Sequence, residues 1–368
     1  MKKNLAIIGA SYLQLPLIKK AKEMGYTTHV FAWAANDVGE KEADFFYPIS
    51  IVEKDEILAK CQEVGICGIC SIASDLAAIT VNYVANKMGL NANSMHATSI
   101  STNKHLMREA FEKHGDPSPR SYLVDSNTDF DNLDISFPAI VKPTDRSGSR
   151  GIYKINTRAE IKDAVESALE EGFEKKALVE EYAEGQEYSV EYISYHGKHH
   201  FLALTLKYTT GAPHFIETGH LEPAPVDDET LSKVKTVVEH ALTSLEITEG
   251  ASHSELKIDK NGNIKIIEIG GRMGGDCIGS DLVHYSTGID FVKAVIQVAC
   301  GEEPDLKPDI EPQAARVVFI FSNEDKIAYE EIKKNQPESI LRIVDEHFEL
   351  IGKTTDSSNR AGCYILKG

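Results

Sequence analysis

Long apolar runs are missing from this 368-residue chain. No segment approaches the roughly 18 apolar residues that cross a bilayer, which argues against a membrane protein. The opening Met1-Lys2-Lys3 passes straight into Leu5-Ala6-Ile7-Ile8-Gly9, a run too short for a signal peptide and read instead as a first strand. Cysteine is sparse. Cys61, Cys67, Cys70, Cys277, Cys300 and Cys363 form no dense framework, so reduced thiols in the cytoplasm are expected. Cys67-Gly-Ile-Cys70 has no second C-x-x-C to complete a zinc site and reads as part of a buried strand. Positive charge is short as well: 39 basic against 57 acidic side chains leave a net charge of -18, which repels nucleic acid and anionic lipid. A polyanionic ligand would have to find its counter-charge in a few local lysines, arginines and backbone N–H groups. Repeats and low-complexity tracts are absent.

What is there is ordinary globular material, 42% hydrophobic and 26% charged, long enough for two or three domains. Residues 1–97 alternate apolar runs with helical patterns: Leu5–Ile8, Leu15–Met24, Thr28–Phe31, Lys54–Val64, Ile66–Ile72 and Leu76–Met88. This βαβαβα order predicts an α/β fold with a parallel, doubly wound sheet. A dinucleotide fingerprint would need G-x-G-x-x-G after the first strand, and only Gly9 is supplied, so NAD is not expected.

A helical pattern from Thr98 to His114 ends at Gly115, and Pro117 and Pro119 force an extended stretch. Next come a strand ending in Phe137–Pro143, a Gly/Ser loop, a helix over Arg158–Glu171 and a strand over Ala177–Glu180. Further strands are expected at Glu187–Ser194, His200–Leu206, His253–Ile258 and Ile264–Ile269, with a helix over Asp228–Leu245. The last 58 or so residues begin with a strand, Ala315–Phe321, and end with another, Gly362–Leu366.

Three clusters carry chemistry. Lys142 stands at a strand end before Ser147-Gly148-Ser149-Arg150-Gly151, a loop whose N–H groups and hydroxyls can cradle phosphate although it is no Walker loop. Glu180-Glu181-Tyr182-Ala183-Glu184-Gly185-Gln186-Glu187 runs from a strand through a bend into a new strand, as a hinge would; Glu184 and, beyond it, Glu191 read as parts of a solvated acidic connector or are left open. Asp259-Lys260-Asn261-Gly262-Asn263 predicts a hairpin that sets Glu255 opposite Glu268. Facing carboxylates need a cation between them, and Mg²⁺ suits two carboxylates plus nucleotide phosphates. Directly after them, Gly270-Gly271-Arg272-Met273-Gly274-Gly275-Asp276 puts an arginine among exposed amides, a set able to bind oxyanions.

Together these residues resemble the ATP-grasp superfamily, in its order and spacing: Asn103-Lys104, Val141-Lys142-Pro143, the Ser/Gly loop, Glu180-Glu181-Tyr182, Gly185-Gln186-Glu187, then Glu255, Glu268 and Arg272. The likeness is nearest the L-amino acid ligase and carbamoyl-phosphate synthetase branch. It implies a Rossmann-like domain over 1–97, an ATP-grasp domain over 98–310 with an α+β lid at about 117–183, and a small β-rich C-terminal domain over 311–368. It implies ATP with Mg²⁺ or Mn²⁺. Lys104, Lys142, Ser147, Gly148, Ser149 and Gly151 would meet the nucleotide, Glu180 to Ala183 the adenine, and Glu187 the ribose. Glu255 and Glu268 would hold metal, while Arg272, Gly274, Gly275 and Asp276 would meet substrate. Many members carry Asn two residues after the second metal glutamate; here that position is Gly270, so one ligand of the pattern is missing.

The expected reaction is ATP-dependent carboxylate–amine ligation through an acyl phosphate. Small carboxylates and amines would be the partners, with a homodimer among the possible assemblies. Ile216–Pro225 is expected to be an acceptor-side loop in which His220 binds substrate or takes a proton, and His253 and His284 are read as structural. Activation of bicarbonate, or ATP binding without catalysis, are the alternatives.

Overall fold

The computed structural model describes residues 3–146, 150–211, 216–353 and 360–368. Its first unit is a parallel sheet of order β3-β2-β1-β4, built from β1 (Asn4–Ile8), β2 (Thr27–Phe31), β3 (Phe45–Tyr47) and β4 (Gly68–Cys70). Helices α1 (Leu15–Glu23), α2 (Val38–Glu42), α3 (Lys54–Val64) and α4 (Asp75–Met88) connect and cover it. The predicted alternation is present, with one addition: α2 and β3, five and three residues long, are too short to give a periodic signal. At the carboxyl end of β4, the side where open α/β sheets collect ligands, the Ala73 amide donates to the Met273 carbonyl at 3.2 Å and so ties this loop to the rest of the molecule. The loop after β4 leads straight to Asp75 at the start of α4, whose N-cap Ser74 accepts from the Ala77 amide.

The helical stretch expected over 98–114 is two helices, α5 (Met95–Thr102) and α6 (Lys104–His114). Asn103 divides them. Its extended backbone ends the first, and its side chain accepts from His105 and Leu106 to start the second.

A second sheet, antiparallel and of order β5-β8-β6-β7, comprises β5 (Ser121–Val124), β6 (Ala139–Pro143), β7 (Tyr153–Ile155) and β8 (Ala177–Glu181). Helix α7 (Ile161–Glu171) packs Ile161, Val165 and Ala168 against Val141 and Val179. Gly185 then turns the chain into the third sheet at φ +117°, where a Cβ would lie 2.2 Å from the Ile258 carbonyl oxygen.

The third sheet has eight strands in the order β13-β12-β9-β10-β11-β14-β16-β15. They are β9 (Gln186–Tyr195), β10 (Lys198–Thr209), β11 (Glu217–Glu222), β12 (Gly250–Ile258), β13 (Ile264–Gly270), β14 (Ala315–Ile320), β15 (Ile340–Glu346) and β16 (Gly362–Lys367). Helix α8 (Asp228–Ser244) buries Val234, Val238 and Leu242 against Val190, Tyr192, Leu204 and Leu256. Because strand side chains alternate, the intervening residues Glu187, Glu191, His253 and Glu255 point to the other face. The stretch expected to be an acceptor-side loop is largely β11, a central strand with His220 fully buried; it pairs with β10 on one side and β14 on the other. The strands of the C-terminal stretch extend this sheet through β14 and do not form one of their own. No helix among the described residues is long and apolar enough to cross a membrane.

Candidate active site

One cleft lies between the second and third sheets. Its walls include Lys104, Lys142, the Glu180–Ala183 run, Glu187, Glu255, Glu268 and Arg272, so ten residues singled out in the sequence meet in one place.

The hairpin has the expected register, with Glu255 directly across from Glu268. The repulsion between them is relieved by lysines. Lys104 Nζ lies 2.8 Å from Glu268 Oε1 and also donates to the Arg146 carbonyl at 2.6 Å. Lys207 Nζ lies 2.5 Å from Glu255 Oε1, 3.1 Å from Glu187 and 3.7 Å from Glu217. Burial works against the charge on Lys207, but these three carboxylates hold its pKa well above the usual lysine value. Glu255, half-buried, is held well below the usual carboxylate range by Lys207 and His253 although desolvation opposes its charge. Two carboxylates at the edge of a cleft, each paired with a lysine, suit a hard divalent metal that takes its other ligands from phosphate and water.

Behind the floor sits a buried triad. Glu180 pairs with Lys142 Nζ at 2.5 Å and accepts from Arg108 Nε at 3.2 Å, and Arg108 Nη2 also donates to the Ile267 carbonyl at 2.7 Å. Burial lowers the Lys142 pKa, with Arg108 adding to the effect and Glu180 opposing it. The amides of Glu181 and Tyr182 are engaged with the Arg120 and Pro138 carbonyls, which fixes the bend expected to read a base.

A third group lies deeper. His253 Nδ1 bonds Glu191, and its Nε2 lies 3.5 Å from Glu255. Burial opposes a proton there, yet Glu191 and Glu255 hold the ring at a pKa of about 9. Glu191 also accepts from the Gly274 amide at 3.0 Å. Thus His253, read as structural, lines the cleft, and Glu191 is a buried anchor rather than a solvated connector.

Other residues do not gather here. Ser147, Gly148 and Ser149 lie outside the described residues. Gly151, at φ +68°, packs toward Pro143 and Glu171. His220 sits behind the cleft, edge-on to Phe319, with Nε2 4.0 Å from Asp276 and neither ring nitrogen hydrogen-bonded among the described residues. Burial lowers its pKa, although Asp276 pulls the other way. Asp276 itself is held at about 2: burial opposes its charge, but His220 and Arg360, whose Nη1 lies 2.9 Å away, favour it. Gly275 stands close to Ala73 in the first unit.

Arg108, Lys207, Asp75 and Arg360 were not singled out. Arg108 follows Lys104 by four residues, hence on the same helix face, and Lys207 ends an apolar strand run; both signals were available. Asp75 and Arg360 come from distant segments and carry no local signal.

The fold is similar to that of solved ATP-grasp structures. The ATP-grasp domain model matches residues 135–281. Alanine–anticapsin ligase of Bacillus subtilis (strain 168) is 27% identical over 301 residues, 73% of this chain and 63% of that protein. The chain thus spans less than two thirds of that relative's length. Among solved structures, phosphoribosylglycinamide synthetase from Anaerococcus prevotii matches with a TM-score of 0.79 and 25% identity, over 100% of this chain and 94% of the other. L-amino acid ligase from Bacillus licheniformis matches with a TM-score of 0.81 and 21% identity, over 100% and 93%, a likeness of fold.

Proposed function

We propose that this chain is an ATP-dependent carboxylate–amine ligase that activates a carboxylate as an acyl phosphate and releases ADP and phosphate. The observation that carries the reading is the convergence of Lys104, Lys142, Glu255, Glu268 and Arg272 on one cleft. The likeness to alanine–anticapsin ligase supports an amino acid as one substrate. In this reading residues 1–97, 98–310 and 311–368 act as three units, with 117–183 as lid, in the cytoplasm, where the six free thiols stay reduced.

Phosphoryl transfer asks the protein mostly for position and charge. Lys104 and Lys142 steady the phosphates, and the bend at Glu181–Ala183 together with Glu187 holds the nucleoside. Glu255 and Glu268 would hold Mg²⁺, which would supply charge neutralisation to the phosphates. Lys104 and Lys207, paired with these carboxylates, add positive charge beside the phosphates. Arg272 and the amide of Gly275 receive the oxyanion, while the Gly274 amide is held by Glu191. A closed lid keeps water from the acyl phosphate. The amine enters from the side of His220 and Asp276; neutral His220 is in the state that accepts a proton, and the anionic Asp276 attracts an ammonium.

The experiment is incubation with Mg·ATP and a pool of L-amino acids, reading ADP and new amides by mass spectrometry. An amide formed with ADP supports the reading; ADP formed with bicarbonate alone overturns it.

A further inference from the structure

Arg272 does not enter the cleft as a free cation. Its Nε donates to Asp75 Oδ1 at 2.8 Å and its Nη2 to Asp75 Oδ2 at 3.1 Å, while Nη1 reaches the Met273 carbonyl at 3.2 Å. Asp75 belongs to the first unit, at the start of α4 just beyond the carboxyl end of β4. The two loops are clasped a second time by the Ala73 amide on the Met273 carbonyl at 3.2 Å.

The carboxylate reaches the arginine only because residue 270 has no side chain. A Cβ on Gly270 would lie 2.8 Å from Asp75 Oδ1 and 3.3 Å from Arg272 Nε, inside any normal contact. Burial would raise the Asp75 pKa, yet Arg272 keeps it below the usual range, so the pair is ionic.

A guanidinium has five N–H donors in a rigid fork. Side-on pairing with Asp75 takes two and Met273 takes one. The remaining two sit on Nη1 and Nη2, along the outer edge of a group that lines the cleft. That edge is a second fork, matched to two oxygens of a phosphoryl group or a carboxylate.

We propose that Asp75 is a positioning residue: through the gap left by Gly270 it grips one side of Arg272, and so aims the outer Nη1–Nη2 edge at an oxyanion in the cleft. That oxyanion is the γ-phosphate of ATP or the carboxylate of the second substrate. The proposal rests on the ligase reading above and adds to it a requirement that the N-terminal unit be docked for the arginine to be aimed.

The test compares wild type with Asp75→Asn, Gly270→Ala, Arg272→Ala and Asp75→Asn/Arg272→Ala, each first checked for an unchanged melting profile. Calorimetry measures Mg·ADP and the non-hydrolysable Mg·AMPPNP, and ATP turnover is followed against an L-amino acid pool. If the fork meets the γ-phosphate, Asp75→Asn and Gly270→Ala weaken Mg·AMPPNP by about tenfold and leave Mg·ADP within about twofold. If it meets the carboxylate, both nucleotides bind normally and the half-saturating amino acid concentration rises about tenfold. In either case the double variant is no worse than Arg272→Ala within about twofold, because one acts through the other. A merely structural Asp75 would give losses that multiply. Multiplying losses, or folded Asp75→Asn and Gly270→Ala proteins that behave as wild type in all three measurements, overturn the proposal alone. A wild type that binds neither nucleotide overturns the ligase reading and the proposal with it.

Discussion

Lys142 Nζ stands 2.5 Å from Glu180 Oε1, and both residues are almost wholly buried, so the cation that reaches the cleft is aimed from behind by a carboxylate solvent does not touch. Arg108 completes the set with its own contact to Glu180 at 3.1 Å. Removing the shared anion leaves two buried cations facing each other. Glu180→Gln is expected to destabilise the fold by about 3–5 kcal/mol, the cost typical of breaking a buried pair. Urea unfolding of the variant against wild type checks this; a change under about 1 kcal/mol would mean the triad is not ionised as the geometry requires.

Glu255 and Glu268 make separate demands. Replacing Glu268 by Gln keeps its shape while removing a metal ligand and the partner of Lys104. ADP formation is expected to fall by about 10²-fold or more with the circular dichroism spectrum unchanged, and near-normal turnover would refute the metal assignment.

His253 gives a pH signature. Its folded pKa of about 9 lies above the unfolded value of 6.5 because Glu191 and Glu255 outweigh burial. The folded state therefore holds its proton more tightly than the unfolded chain does. The resulting stability is fully present below pH 6.5 and is lost as pH rises to about 9, amounting to a few kcal/mol at most. Chemical unfolding at several pH values reads this slope, and His253→Gln should flatten it.

His220 is buried with both ring nitrogens unbonded among the described residues, and burial keeps it neutral at pH 7. His220→Ala is expected to slow the amine-dependent step about tenfold or more while Mg·ADP binding stays within about twofold. Equal loss of both would assign the residue to packing against Phe319.

Much of this site was legible because its parts are local. The Asn261-Gly262 turn declares the hairpin, and a register shift between Glu255 and Leu256 then sets Glu255 across from Glu268. Lys142 and Glu180 likewise declare themselves at strand ends. The first sheet could be read from alternating apolar runs, whereas β3, β5, β7 and β15, at three to seven residues, were hidden because short or partly exposed strands leave little pattern. The largest misreading was β11. Thr218-Gly219-His220 looks like a polar loop, but Gly219 would bring a Cβ within 2.8 Å of the Val317 carbonyl oxygen, so its glycine serves close strand pairing with β14. Asp75 and Arg272, 197 residues apart, meet only through the tertiary fold, and no spacing rule could have joined them.

The central claim is that this cleft spends ATP to join a carboxylate to an amine. The most direct measurement is ADP and phosphate release from Mg·ATP with pooled L-amino acids, with other carboxylates and amines, and with bicarbonate, the products identified by mass spectrometry. The account predicts a new amide in step with ADP and phosphate, abolished by Glu268→Gln. ATP bound but no ADP released in any pool, or ADP released with bicarbonate alone, would contradict it.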